Sequence, residues 1–183
     1  KMDKAIVLDR DGTLINDPGY YVYKLKDFKL LPGVTEGLKA LSKKFIFVIV
    51  TNQSGIGRGA HTLEETKKFN EKLIGELKKE NIAIKKIYVC QHTPEDNCEC
   101  RKPKTKFIKE AEKEFDIDLK NSWVIGDKPI DIEMGEKSGP KTVYVLTGHG
   151  KEYLDNLQND NLNPNFIAEN FLQAAKFIIN NSK

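Results

Sequence analysis

IVLDRDGTL, residues 6–14, is the stretch on which the reading of this sequence turns. An apolar run ends abruptly in two carboxylates, separated by one arginine and followed by a glycine. The run reads as a strand, Ala5–Leu8, because continuous apolar residues suit a strand covered on both faces. Placing Asp9 and Asp11 against the end of a core strand is unfavourable unless opposite charge accompanies them. Either the strand simply stops and the acids cap a turn, or a metal ion and a substrate neutralise them.

The rest of the chain repeats the strand-then-helix pattern. Phe45–Val50, Ile84–Val89, Trp123–Ile125 and Thr142–Leu146 read as further strands. Between them lie helix-period stripes: Val34, Leu38 and Leu41 behind Pro32; Phe69, Leu73 and Leu77; Phe107, Ile108, Ala111 and Phe115; and a short segment over 130–137. Thr62 and Glu65 have capping-box spacing. A final stripe from Phe171 to Ile179 has Asn170 as its N-cap. Residues 156–165 are polar and read as a surface loop, and residues 180–183 as a fraying end. Alternating strands and helices predict a doubly wound parallel α/β sheet with helices on both faces. The 183 residues, 39% hydrophobic and 31% charged, fit one domain over 1–183.

In such a sheet ligands bind at the carboxyl ends of the strands. Asp9 and Asp11 follow the first strand; Thr51, Asn52 and Gln53 follow the second; Asp127, Lys128 and Asp131 follow the fourth. One aspartate at a strand end is an ordinary turn signal, but three strand ends carrying this chemistry predict a site. Asp9 is placed to attack phosphorus as a carboxylate nucleophile. Asp11 is placed to protonate the leaving oxygen and then to activate water. Gly12 lets the backbone turn tightly beneath a phosphoryl group. Asp127 adds a hard oxygen ligand, and few carboxylates plus phosphate and water suit Mg²⁺. Thr51 can hydrogen-bond a phosphoryl oxygen.

All three cysteines fall within CQHTPEDNCEC, residues 90–100. Cys90, His92, Cys98 and Cys100 supply three thiolates and one imidazole, a complete tetrahedral set for structural zinc. A disulfide inside Cys98–Glu99–Cys100 would be strained. A closed shell leaves no position for substrate, so the knot is expected to hold the loop after it rather than to catalyse. The glycine-rich GIGRG, residues 55–59, lacks the Lys-Ser/Thr ending of a P-loop. It reads as a turn shaping the mouth of the site, with Arg58 open as a phosphate contact. His61 and His149 read as surface or capping residues, and Tyr20, Tyr21, Tyr23 and Phe28 as a packed flap.

Thirty basic against 27 acidic residues give +3, far from a nucleic-acid-binding excess. The longest apolar run is too short to span a membrane. No signal-like segment opens the sequence, so the expectation is a cytoplasmic protein, a monomer without nucleic-acid or membrane partners.

DRDGT, TNQSGIGRG and GDKPID, in this order, resemble the haloacid dehalogenase superfamily of aspartate-nucleophile phosphatases. Together with CECRKP they are similar to the bacterial D-glycero-D-manno-heptose 1,7-bisphosphate 7-phosphatases and the related histidinol-phosphatases. The match runs from about Asp9 to about Gly148. The resemblance implies a Rossmann-like sheet with the nucleophile strand at its centre, no cap domain and a small zinc-binding loop. It implies Asp9 as nucleophile, Asp11 as acid/base with its backbone carbonyl on Mg²⁺, and Asp9 and Asp127 as the other Mg²⁺ ligands. Thr51 and Lys102 would hold the phosphoryl group. Arg101 would recognise substrate, helped by Asp17, Pro18, Gly19 and Tyr20 and by Asn52, Gln53 and Ser54, with Lys128 near metal or substrate. The implied reaction removes the 7-phosphate of a heptose bisphosphate in nucleotide-activated heptose synthesis for a bacterial surface glycan. Histidinol phosphate is the alternative substrate. A polynucleotide 3′-phosphatase and a non-catalytic zinc-stabilised interaction module are further readings. The sequence departs from the pattern at Gln91, where a proline is expected, and over 104–107, where a proline-glycine turn is expected.

Overall fold

The computed structural model describes residues 1–183 and holds one sheet of six parallel strands. These are β1 (Ala5–Leu8), β2 (Ile46–Asn52), β3 (Ile84–Cys90), β4 (Trp123–Gly126), β5 (Lys141–Val145) and β6 (Phe166–Ala168). Their spatial order is β3-β2-β1-β4-β5-β6, so the chain winds outward from β1 in both directions. Seven helices connect or cover them: α1 (Val34–Leu41), α2 (Ser54–Gly57), α3 (Leu63–Lys79), α4 (Lys106–Glu114), α5 (Pro129–Ser138), α6 (Leu154–Asn159) and α7 (Phe171–Asn180).

Strand periodicity divides the core in two. Ile6 and Leu8 of β1, Phe47 and Ile49 of β2, Trp123 and Ile125 of β4, and Val143 and Val145 of β5 face one side. There they meet Leu38 of α1, Phe69 and Leu73 of α3, and Phe171 and Ile178 of α7. The alternate residues Ala5, Val7, Val48, Val50 and Val124 face the other side, against Ile108 and Ala111 of α4 and Met134 of α5. Burial on both faces is why these strands lack polar alternation.

The topology fixes where the site forms. Leu8 is paired with Ile49 of β2 on one side and Ile125 of β4 on the other. The chain leaves β1 between two neighbours whose connections run to opposite sides of the sheet, the crevice where doubly wound folds bind ligands. No second domain covers it. Residues 13–32 form a flap holding only a short helical turn at Leu25–Asp27.

Several local expectations change. The second strand extends through Thr51 and Asn52, because Asn52 still pairs with Cys90 of β3. Residues 156–165 are not all loop: α6 carries Leu157, which packs with Ile132, Tyr144 and Leu162. Two leucines one turn apart, Leu154 and Leu157, in a helix of six residues are too few to mark a helical period. Strand β6 escapes sequence reading because it has three residues. The last residues are tied down, since the Trp123 indole Nε1 donates to the Ser182 hydroxyl at 3.0 Å.

Helix α3 starts as its sequence predicts. The Thr62 hydroxyl accepts from the Glu65 amide at 3.1 Å, and the Glu65 carboxylate accepts from the Thr62 amide at 2.8 Å. Thr62→Ala should lower unfolding stability by about 1 kcal/mol, read as a lower urea midpoint. An unchanged midpoint would show that this cap contributes nothing.

Candidate active site

Asp9 is the first residue after β1, and its amide donates to the Ile125 carbonyl at 3.1 Å, which locks the turn to β4. Its Oδ1 accepts from the Lys102 ammonium at 2.8 Å, and its Oδ2 accepts from the Thr13 hydroxyl at 3.3 Å. The same ammonium donates to Asp131 Oδ1 at 2.8 Å and to the Val50 carbonyl at 2.7 Å. All three donor positions of Lys102 are used, and the residue is 3% exposed. Asp131 also accepts from the Lys128 amide, through Oδ2 at 3.2 Å, and so fixes the start of α5. Asn52 holds the main chain of Lys102 from both sides. Its Oδ1 accepts from the Lys102 amide at 3.0 Å and its Nδ2 donates to the Lys102 carbonyl at 3.3 Å.

Asp127 completes the cluster with no exposure at all. Its Oδ2 accepts from the His149 amide at 2.8 Å, while its Oδ1 is buried without a partner. Carboxylate oxygens of Asp9, Asp127 and Asp131 lie within 4.8 Å of one another. Burial, then the charge of Asp9, pushes the Asp127 carboxyl up to about 10. Burial and Asp9 likewise raise Asp131 to about 6, against the pull of Lys102. At Asp9 burial acts upward, but the charge and hydrogen bond of Lys102 prevail and hold it below its ordinary value. Burial opposes the charge on Lys102 too, and Asp131 and Asp9 together raise it above its usual range. One ammonium does not neutralise three buried carboxylates. The orphaned Asp127 oxygen, on a carboxyl that gives up its proton only when further positive charge arrives, fits a hard divalent cation such as Mg²⁺.

Asp11 lies apart from that cluster, with its side chain 23% exposed. Its carboxylate accepts from Arg10 and, through Oδ2 at 2.8 Å, from Gln53. Gln53 Nε2 also donates to the Thr51 hydroxyl at 2.8 Å, which leaves the Thr51 proton free for another acceptor. Thr51 is 1% exposed and sits below the wall of the cavity rather than on it. Gly12, at φ +85°, runs so close to Asp127 that a Cβ there would overlap its carboxylate.

A cavity of about 550 Å³ opens above these groups. Asp9, Asp11, Lys102 and Asp131 form its floor; Asn52, Gln53, Ser54, Arg101 and Lys128 line its sides; Asp17, Gly19 and Tyr20 come from the flap. Pro18 does not line it. Arg101 Nη1 is buried without a hydrogen-bond partner.

Both histidine expectations are overturned. His149 lines the cavity, and its ring bridges Asp17 of the flap and Glu152, each at 2.9 Å. His61 is 5% exposed and stacks on Tyr23 at 4.6 Å. It fills the space under Gly55, where a Cβ would strike its ring. The flap is only partly packed: Phe28 lies against Phe69, whereas Tyr20 and Tyr21 are exposed. Arg58 does not line the cavity and pairs with Glu95 of the cysteine loop at 3.6 Å. Sequence reading missed the partnership of Asp131 with Lys102, although GDKPID displayed the acid. It also missed the burial of Arg10, signalled only by a cation between two acids.

The cysteine loop begins at Cys90, the last residue of β3, and all three thiols are free of disulfides. The Sγ–Sγ separations are 3.2, 3.6 and 3.7 Å, and His92 Nδ1 lies 3.8 Å from Cys90 Sγ and 3.5 Å from Cys100 Sγ. Tetrahedral zinc bonds of about 2.3 Å to sulfur and 2.0–2.1 Å to nitrogen imply edges of roughly 3.8 and 3.6 Å. The four atoms therefore fit a zinc-sized ion. In the divergent 104–107 segment, Lys104 Nζ donates back to the Cys98 carbonyl, joining the cysteine loop to the start of α4.

Buried aspartates at a sheet switch point, with a lysine among them and an open cavity above, define a phosphoric monoester hydrolase of the haloacid dehalogenase type. The HAD-hydrolase-like family model matches residues 99–174. The chain is 40% identical over 150 residues to D-glycero-alpha-D-manno-heptose-1,7-bisphosphate 7-phosphatase of Campylobacter jejuni, covering 81% of this chain and 86% of that protein. It is 44% identical over 146 residues to the corresponding beta-named enzyme of Helicobacter pylori strain 26695, covering 79% and 84%. The histidine biosynthesis bifunctional protein HisB of Legionella pneumophila strain Lens is 40% identical over 150 residues, covering 81% of this chain and 43% of that protein. Among solved structures, D,D-heptose 1,7-bisphosphate phosphatase from B. bronchiseptica, complexed with magnesium and phosphate, superimposes with a TM-score of 0.88 at 26% identity, covering 98% of this chain and 99% of that one. The chain belongs to the heptose-bisphosphate phosphatase family of the haloacid dehalogenase-like hydrolases.

Lys102→Met leaves the buried carboxylates without their cation. Losing one partner of a buried ion pair typically costs about 3–5 kcal/mol. Calorimetry of the zinc-loaded chain without added Mg²⁺ should show a melting temperature lower by roughly 6–20 °C, at about 2–4 °C per kcal/mol for a chain of this size. Unchanged melting would mean that Lys102 does not hold the acids together.

Proposed function

We propose that this chain is a Mg²⁺-dependent phosphatase that removes the 7-phosphate of D-glycero-D-manno-heptose 1,7-bisphosphate through an aspartyl-phosphate. The observation that carries this reading is the Asp9–Lys102–Asp131 chain beside the orphaned Asp127 oxygen, at the floor of the cavity. Asp9, kept ionised by Lys102, attacks phosphorus with one oxygen while the bond from phosphorus to the sugar oxygen breaks. Asp11 gives that leaving oxygen a proton. Water then attacks the aspartyl-phosphate, Asp11 takes its proton, and orthophosphate leaves with Asp9 restored. Thr51 donates its free hydroxyl proton to a phosphoryl oxygen. Asp9, Asp127 and the Asp11 carbonyl would hold Mg²⁺, which when bound supplies the charge that offsets repulsion between the acids and the incoming dianion.

Arg101 and Lys128 on the cavity walls suit the phosphate that is retained, with Asp17, Gly19, Tyr20, Asn52, Gln53 and Ser54 around the sugar. These two cations favour a bisphosphate over histidinol phosphate, whose amine is itself cationic. We place the enzyme in the cytoplasm, acting as a monomer on a soluble sugar phosphate, with residues 1–183 as one domain. Zinc bound by Cys90, His92, Cys98 and Cys100 would set the loop that delivers Arg101 and Lys102. Structural zinc contributes about 10–16 kcal/mol in small peptides, against whole-domain stabilities of about 5–15 kcal/mol. Even a fraction of that decides whether the loop is ordered.

Asp9→Asn should abolish phosphate release, because uncatalysed monoester hydrolysis is slower by as much as about 10²¹-fold; turnover near that of the unmodified chain excludes Asp9 as nucleophile. Cys98→Ser should lose zinc, measured by plasma emission spectrometry, and lose turnover with the aspartates intact; unchanged zinc content and rate would refute the role given to the knot. A phosphate-release assay on both heptose bisphosphate anomers and histidinol phosphate should give the highest kcat/KM with a bisphosphate, and preference for histidinol phosphate would reverse the substrate choice.

A further inference from the structure

Arg10 has no solvent exposure, yet its neighbours Asp9 and Asp11 both face the cavity. Its guanidinium turns back beneath the turn and finds three acceptors on three separate parts of the chain. Nε donates to Asp11 Oδ1 at 3.0 Å and Nη2 to Asp11 Oδ2 at 3.1 Å, a two-pronged grip on the carboxylate. Nη2 also donates to the Val22 carbonyl of the flap at 2.9 Å, and Nη1 donates to Asn70 Oδ1 of α3 at 2.9 Å. The guanidinium lies 4.7 Å from the centre of the Phe69 ring, which packs its other side. Desolvating an arginine completely is unfavourable unless its donors are met in good geometry. The planar fork is what a lysine cannot reproduce.

A carboxylate that must pass a proton to one oxygen and take one from another has to be held in one orientation. A side chain on a turn has rotamer freedom unless its oxygens are held. A carboxylate offers about four acceptor positions. The fork grips both oxygens, with Nη2 also 3.0 Å from Oδ1, and Gln53 holds Oδ2, so the carboxylate is kept in one orientation at the cavity. We propose that Arg10 is a positioning residue for the phosphatase reaction: its guanidinium fixes the Asp11 carboxylate for proton transfer and ties that orientation to the flap through the Val22 carbonyl. Arg10 touches no reacting atom and acts entirely through Asp11. The inference rests on the phosphatase reading above.

The test uses the full chain loaded with Mg²⁺ and zinc, and two aryl phosphates. Phenyl phosphate needs its leaving oxygen protonated; 2,4-dinitrophenyl phosphate does not. General-acid assistance is worth about 10²–10⁴-fold. In Arg10→Met, steady-state turnover of phenyl phosphate should therefore fall by on the order of 10²-fold. The first-turnover release of dinitrophenolate should fall by much less, and appear as a burst before slow turnover. Arg10→Met with Asp11→Asn should be no slower than Asp11→Asn alone, since residues acting as a unit are not additive. Arg10→Lys, which keeps charge without the fork, should behave as Arg10→Met. Equal slowing on both esters, multiplying losses in the double variant, or full activity in Arg10→Lys would each overturn the proposal. If circular dichroism shows that Arg10→Met does not fold, Asn70→Ala, which removes one acceptor that does not line the cavity, should give the same split at smaller size. Equal slowing on the two esters there would overturn it. An unmodified chain that releases orthophosphate from neither ester nor from any sugar bisphosphate defeats the phosphatase reading itself, and this inference with it.

Discussion

The ammonium of Lys102 is the point on which this structure converges. It is carried on the segment that follows the cysteine loop, bonded to the Val50 carbonyl in β2, to Asp9 after β1 and to Asp131 in α5. Four sequence-distant segments thus meet on one buried charge. Each ion in such a cluster forfeits several kcal/mol of hydration, which only mutual contacts and a further cation can offset. The active centre is therefore an electrostatic arrangement held under constraint, and the sheet, the knot and α5 are the constraints.

Backbone without side chains permits that density of charge. Gly12 and Gly148, both at positive φ, pack against each other and against the same Asp127 oxygen, Oδ2, with no room for a Cβ on either. Thr147 adds a hydrogen bond from its hydroxyl to the Gly12 carbonyl at 2.8 Å, which pins the two turns together. The turn after β5 belongs to the site as much as the turn after β1 does.

The parts legible in the sequence are those whose signal is local. Apolar runs marked five of the strands, Thr62 and Glu65 marked the start of α3, and the ends of β1, β2 and β4 displayed the acids and amides of the site. Cysteine spacing alone marked the cluster of Cys90, His92, Cys98 and Cys100. The hidden parts depend on contacts between distant positions. Lys102 meets Asp9 across 93 residues, and His149 meets Asp17 across 132. Arg10 carries no local signal of burial beyond the two acids that flank it, because its other acceptors come from α3 and the flap. Strand β6 and α6 are too short for periodicity, and exist because β5 and a small apolar cluster around Tyr144 give them somewhere to pack.

The modest flap over residues 13–32 has a consequence for the kind of catalyst this chain can be. An aspartyl ester of phosphate partitions between water and any alcohol held beside it. Here nothing the size of a second domain must swing away before a solvent molecule reaches the ester, and the doorway is framed by the exposed rings of Tyr20 and Tyr21. Under the aspartyl-phosphate mechanism proposed above, ready admission of water would commit the covalent state to hydrolytic breakdown rather than to handing its phosphoryl group to another sugar, so the architecture favours a one-way drain over a mutase.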